Sequence, residues 1–352
     1  MNKRNSVQLI AACSVLMASA GGYAQDTIKV AAIVELSGGG VVSGTNFRDG
    51  VKLAVNEINA TGGILGKKIA LTEADTQTNP GVAKGLAQKA IDDGAFAIFG
   101  PVFSGSILVS MAESRKAEVP NWTGGEASAI TAQGNPYIFR TSFGQATSFP
   151  KISKYITSKY KTIAVIYQNN DFGKGGRDAI VANLKDSPTK ILAEIATEPN
   201  QLDFSSAVIR AKNTNADATF VYVTEEESAR ALREFKKQGY NKPLIGETTL
   251  TGQKVIELAG DAATGAFAHV GLTIDAPIPE MLAFKAKFYK TYNYFTDHNG
   301  IKGYTGVYTM KAAIEKAGKL DRKAVAQAMK GFKISAKKHP GVIMDTQFDD
   351  KG

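Results

Sequence analysis

Cysteine is almost absent: the single one, Cys13, falls within the first two dozen residues. The chain after it therefore has no disulfide, no thiolate nucleophile and no cysteine metal site. Histidine is scarce as well. His269, His298 and His339 have no second histidine or carboxylate at metal-ligand spacing, so they read as core or surface residues. No stretch after residue 25 approaches the roughly 20 uninterrupted apolar residues that cross a bilayer, which excludes an integral membrane protein. Low-complexity tracts are missing too. At 352 residues, with 43% hydrophobic and 21% charged, the chain is a globular one of about two domains rather than a disordered or fibrous one.

The first residues differ in kind. Lys3 and Arg4 form a positive start, Val7 to Ala20 is an apolar run broken only by Gln8, Ser14 and Ser19, and Gly22-Tyr23-Ala24 is a small-x-small cleavage site. Residues 1–24 are expected to be a secretory signal, removed on export to a bacterial periplasm. Ile10-Ala11-Ala12-Cys13 resembles a lipoprotein box, but the apolar stretch before it is too short and the one after it too long for lipid anchoring at Cys13. Removing Lys3 and Arg4 from the 42 basic residues leaves 40 against 33 acidic ones, a balance of +7. Those bases are spread over helix faces such as Lys151-Lys154-Lys159-Lys161, with no recognition motif among them, so no nucleic-acid partner is expected.

From residue 27 short β-branched runs alternate with helical periodicity, the pattern of βαβ units on a parallel sheet. Strands are expected at Ile28–Leu36, Lys68–Asp75 and Ala95–Gly100, with helices at Asn46–Ala60, Pro80–Asp93 and Ser106–Ala117. A second α/β series of similar rhythm starts at Thr162 and ends at Ala259. Helices at Glu280–Tyr292 and Tyr304–Ala317 cannot bury their apolar faces alone and are expected to return to the first lobe. The lobes are thus discontinuous: residues 25–141 and 273–333 make lobe 1, and 142–272 and 334–352 make lobe 2. Several connecting strands form a hinge, and a cleft between hinged lobes suits a small molecule.

Catalytic patterns are weak. Gly38 to Gly44 spaces its glycines one residue too long for a dinucleotide loop, and Asp75 lies too far on for a ribose partner, so no cofactor is expected. Two Ser-x-x-Lys matches, Ser158–Lys161 and Ser335–Lys338, lack the companion elements of an acyl-serine enzyme. An exported Ser-Lys hydrolase is nonetheless the rival from a different class, and a ligand-sensing partner of a membrane receptor is a third. More informative is Phe99 to Ser106, where Phe103, Ser104, Gly105 and Ser106 end a strand and open a helix, bringing backbone N–H groups and two hydroxyls together for an anion. One crossover later Trp122, then Gly124, Gly125 and Glu126, end another strand and place a negative charge beside that anion site. The pairing suits a ligand with a carboxylate and an ammonium. The alternative is an aromatic or aliphatic acid without an amine, packed against Phe103, Trp122 and Phe172.

At these residues the chain resembles the periplasmic leucine/isoleucine/valine-binding proteins, type I solute-binding components of bacterial ABC importers. Matching landmarks include Asn56-Glu57-Ile58-Asn59 with Gly62 to Gly66, Ile98-Phe99-Gly100-Pro101, Asn170-Asp171-Phe172-Gly173, Ala259 to Gly265, and Phe348 to Gly352. The resemblance implies an α/β fold of two Rossmann-like lobes with parallel sheets on a three-strand hinge, closing over an amino acid or related carboxylate and docking on a membrane permease as a monomer. It places the α-carboxylate on Ser104 and the main chain of Gly124 to Glu126, and an aromatic contact on Phe172. The family's ammonium-binding glutamate falls on Thr248, beside Glu247. An aromatic position is replaced by the run Glu225-Glu226-Glu227, with Glu226 taken as a ligand contact, and a first-loop aromatic falls near Ser43. Relatives of this kind continue past the position of Gly352 through a final strand.

Overall fold

The computed structural model describes residues 27–352, so the expected leader and Cys13 lie outside the described residues. Ten strands divide into two parallel sheets. The first holds β1 (Ile28–Val34), β2 (Ile69–Asp75), β3 (Ala97–Phe99), β4 (Asn121–Thr123) and β5 (Ile138–Arg140), in the order β2-β1-β3-β4-β5. The second holds β6 (Thr162–Gln168), β7 (Lys190–Thr197), β8 (Ala218–Tyr222), β9 (Leu244–Glu247) and β10 (Ala266–His269), in the order β10-β9-β8-β6-β7. Counted from its own first strand, each sheet has the same doubly wound order, with helices on both faces. That is why β1, β3 and β8 run almost continuously apolar instead of alternating.

In such sheets ligands gather beyond the carboxyl ends of the strands, where the order reverses. The loops after β1, β3 and β4 of one lobe and after β6, β8 and β9 of the other all contribute to a single cavity. The chain crosses between the lobes after β5, whose successor helix Gln145–Lys159 buries Phe149 and Ile152 in the second lobe, and again between β10 and Ile274, which is buried in the first.

The returning helices behave as their apolar faces demand. Phe284, Phe288, Tyr304 and Val307 share one core with Val30, Phe99 and Trp122. The helix His298–Ala317 lies against the helix Val41–Ala60 at glycine contacts: a Cβ on Gly50 would stand 2.1 Å from the Gly300 carbonyl oxygen, and one on Gly303 2.1 Å from that of Phe47. Two corrections follow. This helix begins six residues before Tyr304, because the Asp297 side chain accepts the N–H groups of Asn299 and Gly300 and caps it. Residues 334–352, expected in lobe 2, pack on lobe 1: Ile334, Val342 and Ile343 join its core and the Phe348 ring meets Phe139 edge-on at 6.3 Å. The segment carries the short antiparallel pair β11 (Lys333–Ile334) and β12 (Thr346–Gln347).

Candidate functional site

The first wall of the cavity is built from the loop after β3. The Glu35 carboxylate accepts the N–H groups of Val102 (3.0 Å) and Phe103 (3.1 Å), holding the loop where the helix Ser104–Ala117 begins. Burial pushes the Glu35 carboxyl up to about 7 despite those two bonds. No side chain caps the helix, and Ser104, Gly105 and Ser106 line the cavity. Ser104 Oγ accepts the Ala127 N–H at 3.2 Å, so its own O–H remains free to donate. The uncapped helix start and this hydroxyl together suit a small anion.

Gly124, Gly125 and Glu126 complete that wall. A Cβ on Gly125 would stand 2.3 Å from Ile107 Cδ1 and 2.8 Å from Ile130 Cδ1, so any larger residue there would force these buried side chains to shift. Arg140 donates to the carbonyl oxygens of Glu126 and Ala127, and Ser142 to that of Gly125 at 2.7 Å. The loop is therefore fixed from behind. The Glu126 carboxylate, expected as a charge to meet a ligand ammonium, is paired within the chain: Lys302 Nζ lies 3.0 Å from Oε1, with both residues buried.

The opposite wall comes from the second lobe. Phe172 lines the cavity and stacks on Tyr222 with centroids 4.2 Å apart. Gln145 Nε2 donates to the Phe172 carbonyl oxygen and the Tyr222 hydroxyl, tying the Phe172 main chain to the Tyr222 side chain. Glu225, first residue of the helix Glu225–Lys237, reaches across the cleft. Its carboxylate accepts Ser43 Oγ (2.9 Å) and Asn299 Nδ2 (3.1 Å), both from the first lobe, and His298 Nε2 stands 3.8 Å away. Burial raises the Glu225 carboxyl above its ordinary value, while burial and nearby Lys302 push the His298 imidazole well below its own, leaving it neutral.

The lobes thus meet over a partly open cleft of ≈ 200 Å³. That is smaller than the roughly 300–1,000 Å³ that holds drug-sized ligands and fits one small metabolite. Val102, Phe103, Phe172, Pro80 and Pro199 give it apolar flanks. Glu225, Asp297 and His298 bring possible ligand atoms within 4.8 Å of one another. Asp297 is committed to its helix cap and Glu225 to Ser43 and Asn299, with the Lys302 cation nearby, so the donor set suits a hydrogen-bonded cluster better than a metal.

A model of the family described as "Periplasmic binding protein" matches residues 27–351. The chain belongs to the periplasmic binding protein family. It is 26% identical over 332 residues to the leucine-, isoleucine-, valine-, threonine- and alanine-binding protein of Pseudomonas aeruginosa, covering 92% of this chain and 87% of that one. It is 28% identical over 260 residues to the Leu/Ile/Val-binding protein of Escherichia coli K12, covering 73% and 71%. The fold matches LivJ of Streptococcus pneumoniae in complex with isoleucine, with TM-score 0.83, 24% identity and 92% of each chain covered. It also matches a solute-binding protein of an ABC transporter from Rhodopseudomonas palustris BisB5 in complex with 3,4-dihydroxybenzoic acid, with TM-score 0.82, 26% identity, and 88% and 86% covered.

Within this binding-protein frame, Phe103, Ser104, Gly105, Ser106, Gly124, Gly125, Glu126 and Phe172 line one cavity. Three expected contacts do not. Trp122 is fully buried in the core between Phe99 and Phe139, Glu226 is half-buried outside the cavity, and Thr248 is buried with its hydroxyl donating to Glu247 at 2.9 Å. Glu225 and Thr249, each one residue away, line it instead. Burial pushes Glu247 up to about 7, with Glu126 adding to the rise. Neither Ser-x-x-Lys serine lines the cavity; Ser158 donates to the Tyr155 carbonyl oxygen on an exposed helix end. Asn299 and Lys302 escaped the sequence-based reading, and His298, read there as a core or surface residue, lines the cavity beside them. Their one signal was Asp297, an N-cap residue seven residues before the expected helix start at Tyr304.

Proposed function

We propose that this protein captures a small carboxylate, an amino acid or a related acid, between its lobes and delivers it to the permease of an ABC importer. It acts in the periplasm after loss of its leader, as a monomer and without catalysing a reaction. The observation that carries the reading is the uncapped start of the helix Ser104–Ala117, where the free Ser104 O–H and a glycine-rich loop line the interlobe cavity. The importer role is supported by the family, by relatives named as branched-chain amino-acid-binding proteins and by a structural neighbour described as the solute-binding protein of an ABC transporter. An acid without an amine is the second reading, supported by the Glu126–Lys302 pair: the loop's negative charge is already balanced inside the chain.

Ser104→Ala should weaken binding of the acid by ten- to hundredfold, as loss of a hydrogen bond to a charged group costs about 1.5–3 kcal/mol. A thermal-shift panel of amino acids and aromatic acids identifies the ligand, and calorimetry on the folded variant measures the loss. Wild-type affinity in that variant would refute the carboxylate assignment. Both lobes supply contacts, so ligand should shift the population toward the closed form. Small-angle scattering is expected to give a smaller radius of gyration with saturating ligand; an unchanged profile counts against closure.

A further inference from the structure

Gln145 opens the helix Gln145–Lys159 where the chain first crosses between the lobes, and it is 2% exposed. It does not line the cavity, yet it is bonded to both of its walls. Toward the first lobe, its main-chain N–H donates to the Glu126 carbonyl oxygen at 2.9 Å and its Oε1 accepts the Ser128 N–H at 3.4 Å. Toward the second, its Nε2 donates to the Phe172 carbonyl oxygen at 2.8 Å and to the Tyr222 hydroxyl at 3.2 Å. Both amide hydrogens are thereby spent, so the side chain has no donor left for a ligand. A Cβ on Gly175 would stand 2.6 Å from Oε1, so the helix Asp171–Leu184 lies directly over the amide. The Tyr222 ring stacks on Phe172, and its hydroxyl faces Glu126 of the opposite lobe; burial and the carboxylates of Glu126 and Glu247 raise the phenol well above its ordinary value, so it keeps its proton. Beside this joint the two crossings touch, since a Cβ on Gly271 would stand 2.7 Å from Phe143 Cδ2.

We propose that Gln145 is a positioning residue that sets the Glu126 loop of one lobe against the Phe172 loop of the other, so that rotation at the hinge brings both walls onto the bound molecule in register. This rests on the reading of the interlobe cavity as the binding site. The main-chain bond to Glu126 survives a substitution at 145, but only the side-chain amide reaches Phe172 and Tyr222. Without that amide the Phe172 loop loses its hydrogen bond to the hinge, and the lobes meet in a wider spread of orientations. A captured molecule then escapes sooner. Its entry into the open cleft is little changed, because entry does not need the walls in register.

The test is a pair of measurements on the full chain. Cys13→Ser combined with Lys84→Cys in the first lobe and Leu202→Cys in the second, both exposed positions, gives two spin labels across the cleft and no third thiol. Pulsed dipolar spectroscopy without ligand should give a broader interlobe distance distribution when Gln145→Met is added to that background. Stopped-flow binding of leucine and of benzoate should show dissociation at least about tenfold faster in Gln145→Met, with association within about threefold, since three side-chain hydrogen bonds are lost and capture does not use them. Tyr222→Phe keeps the ring stack and removes only the hydroxyl; it should speed dissociation about threefold, and add no more than about twofold on top of Gln145→Met, as groups in one network are not additive. A Gln145→Met protein with a lowered urea midpoint but wild-type distances or wild-type dissociation makes the residue merely structural and overturns the proposal. Should Gln145→Met fail to fold, Tyr222→Phe decides by the same two readings. If the wild type binds neither probe, the carboxylate reading falls, and the label distances alone decide on Gln145.

Discussion

Lys302→Met is expected to destabilise the protein by about 3–5 kcal/mol, the cost of leaving one member of a buried ion pair without its partner. Lys302 is 2% exposed and Glu126 8%, so neither charge can turn to water when the other is removed. Arg140 cannot take over, because its guanidinium is bound to the Glu126 and Ala127 carbonyl oxygens and to Thr131. The double variant Glu126→Gln/Lys302→Met should recover most of the loss, since a neutral, well-packed replacement of a buried pair is often no less stable than the pair. Urea unfolding of the singles and the double measures this, and a Lys302→Met protein as stable as wild type would show that the pair contributes nothing. Ligand affinity gives the complementary sign. Glu126→Gln leaves the Lys302 cation uncompensated beside the cavity, so binding of an acid should tighten, whereas a direct ammonium contact at Glu126 would make the same change abolish binding.

That pair also marks where sequence reasoning ran out. Strands of a parallel sheet are buried on both faces, so runs such as Ile28–Val34 and Ala218–Tyr222 announce themselves, and the residues just past their ends fall at the cleft by the geometry of the fold. Ser104, Gly124 and Phe172 were legible for that reason. Lys302 was not: it meets Glu126 across 176 residues of chain. Its helix starts with Gly300, Gly303 and Gly306, which lower local helix propensity, yet Gly300 and Gly303 are what let the helix lie against Val41–Ala60. Local propensity favoured a turn there and tertiary packing overrode it. The first-lobe wall that faces Glu225 was hidden by the same override.

The lone tryptophan shows the opposite error, a residue that looks like a ligand platform and is core. Trp122 pairs in register with Phe99 on β3 and Phe139 on β5, so three aromatic rings form one layer, with centroids 5.6 and 5.1 Å from the indole. Phe348 closes the layer edge-on against Phe139. Trp122→Ala is therefore expected to cost about 3–5 kcal/mol, a large buried side chain replaced by a cavity in a layer that helices cover from outside. Trp122→Phe should cost less, because the indole Nε1 has no hydrogen-bond partner to lose and the ring stack is kept. Thermal melts followed by circular dichroism measure both, and calorimetry on Trp122→Phe separates the roles. A core residue that does not line the cavity should leave ligand affinity within about twofold, while a ligand platform would lose affinity with little change in stability. Affinity loss in a Trp122→Phe protein that melts like wild type would move this residue back into the site and with it the boundary between the aromatic layer and the cleft.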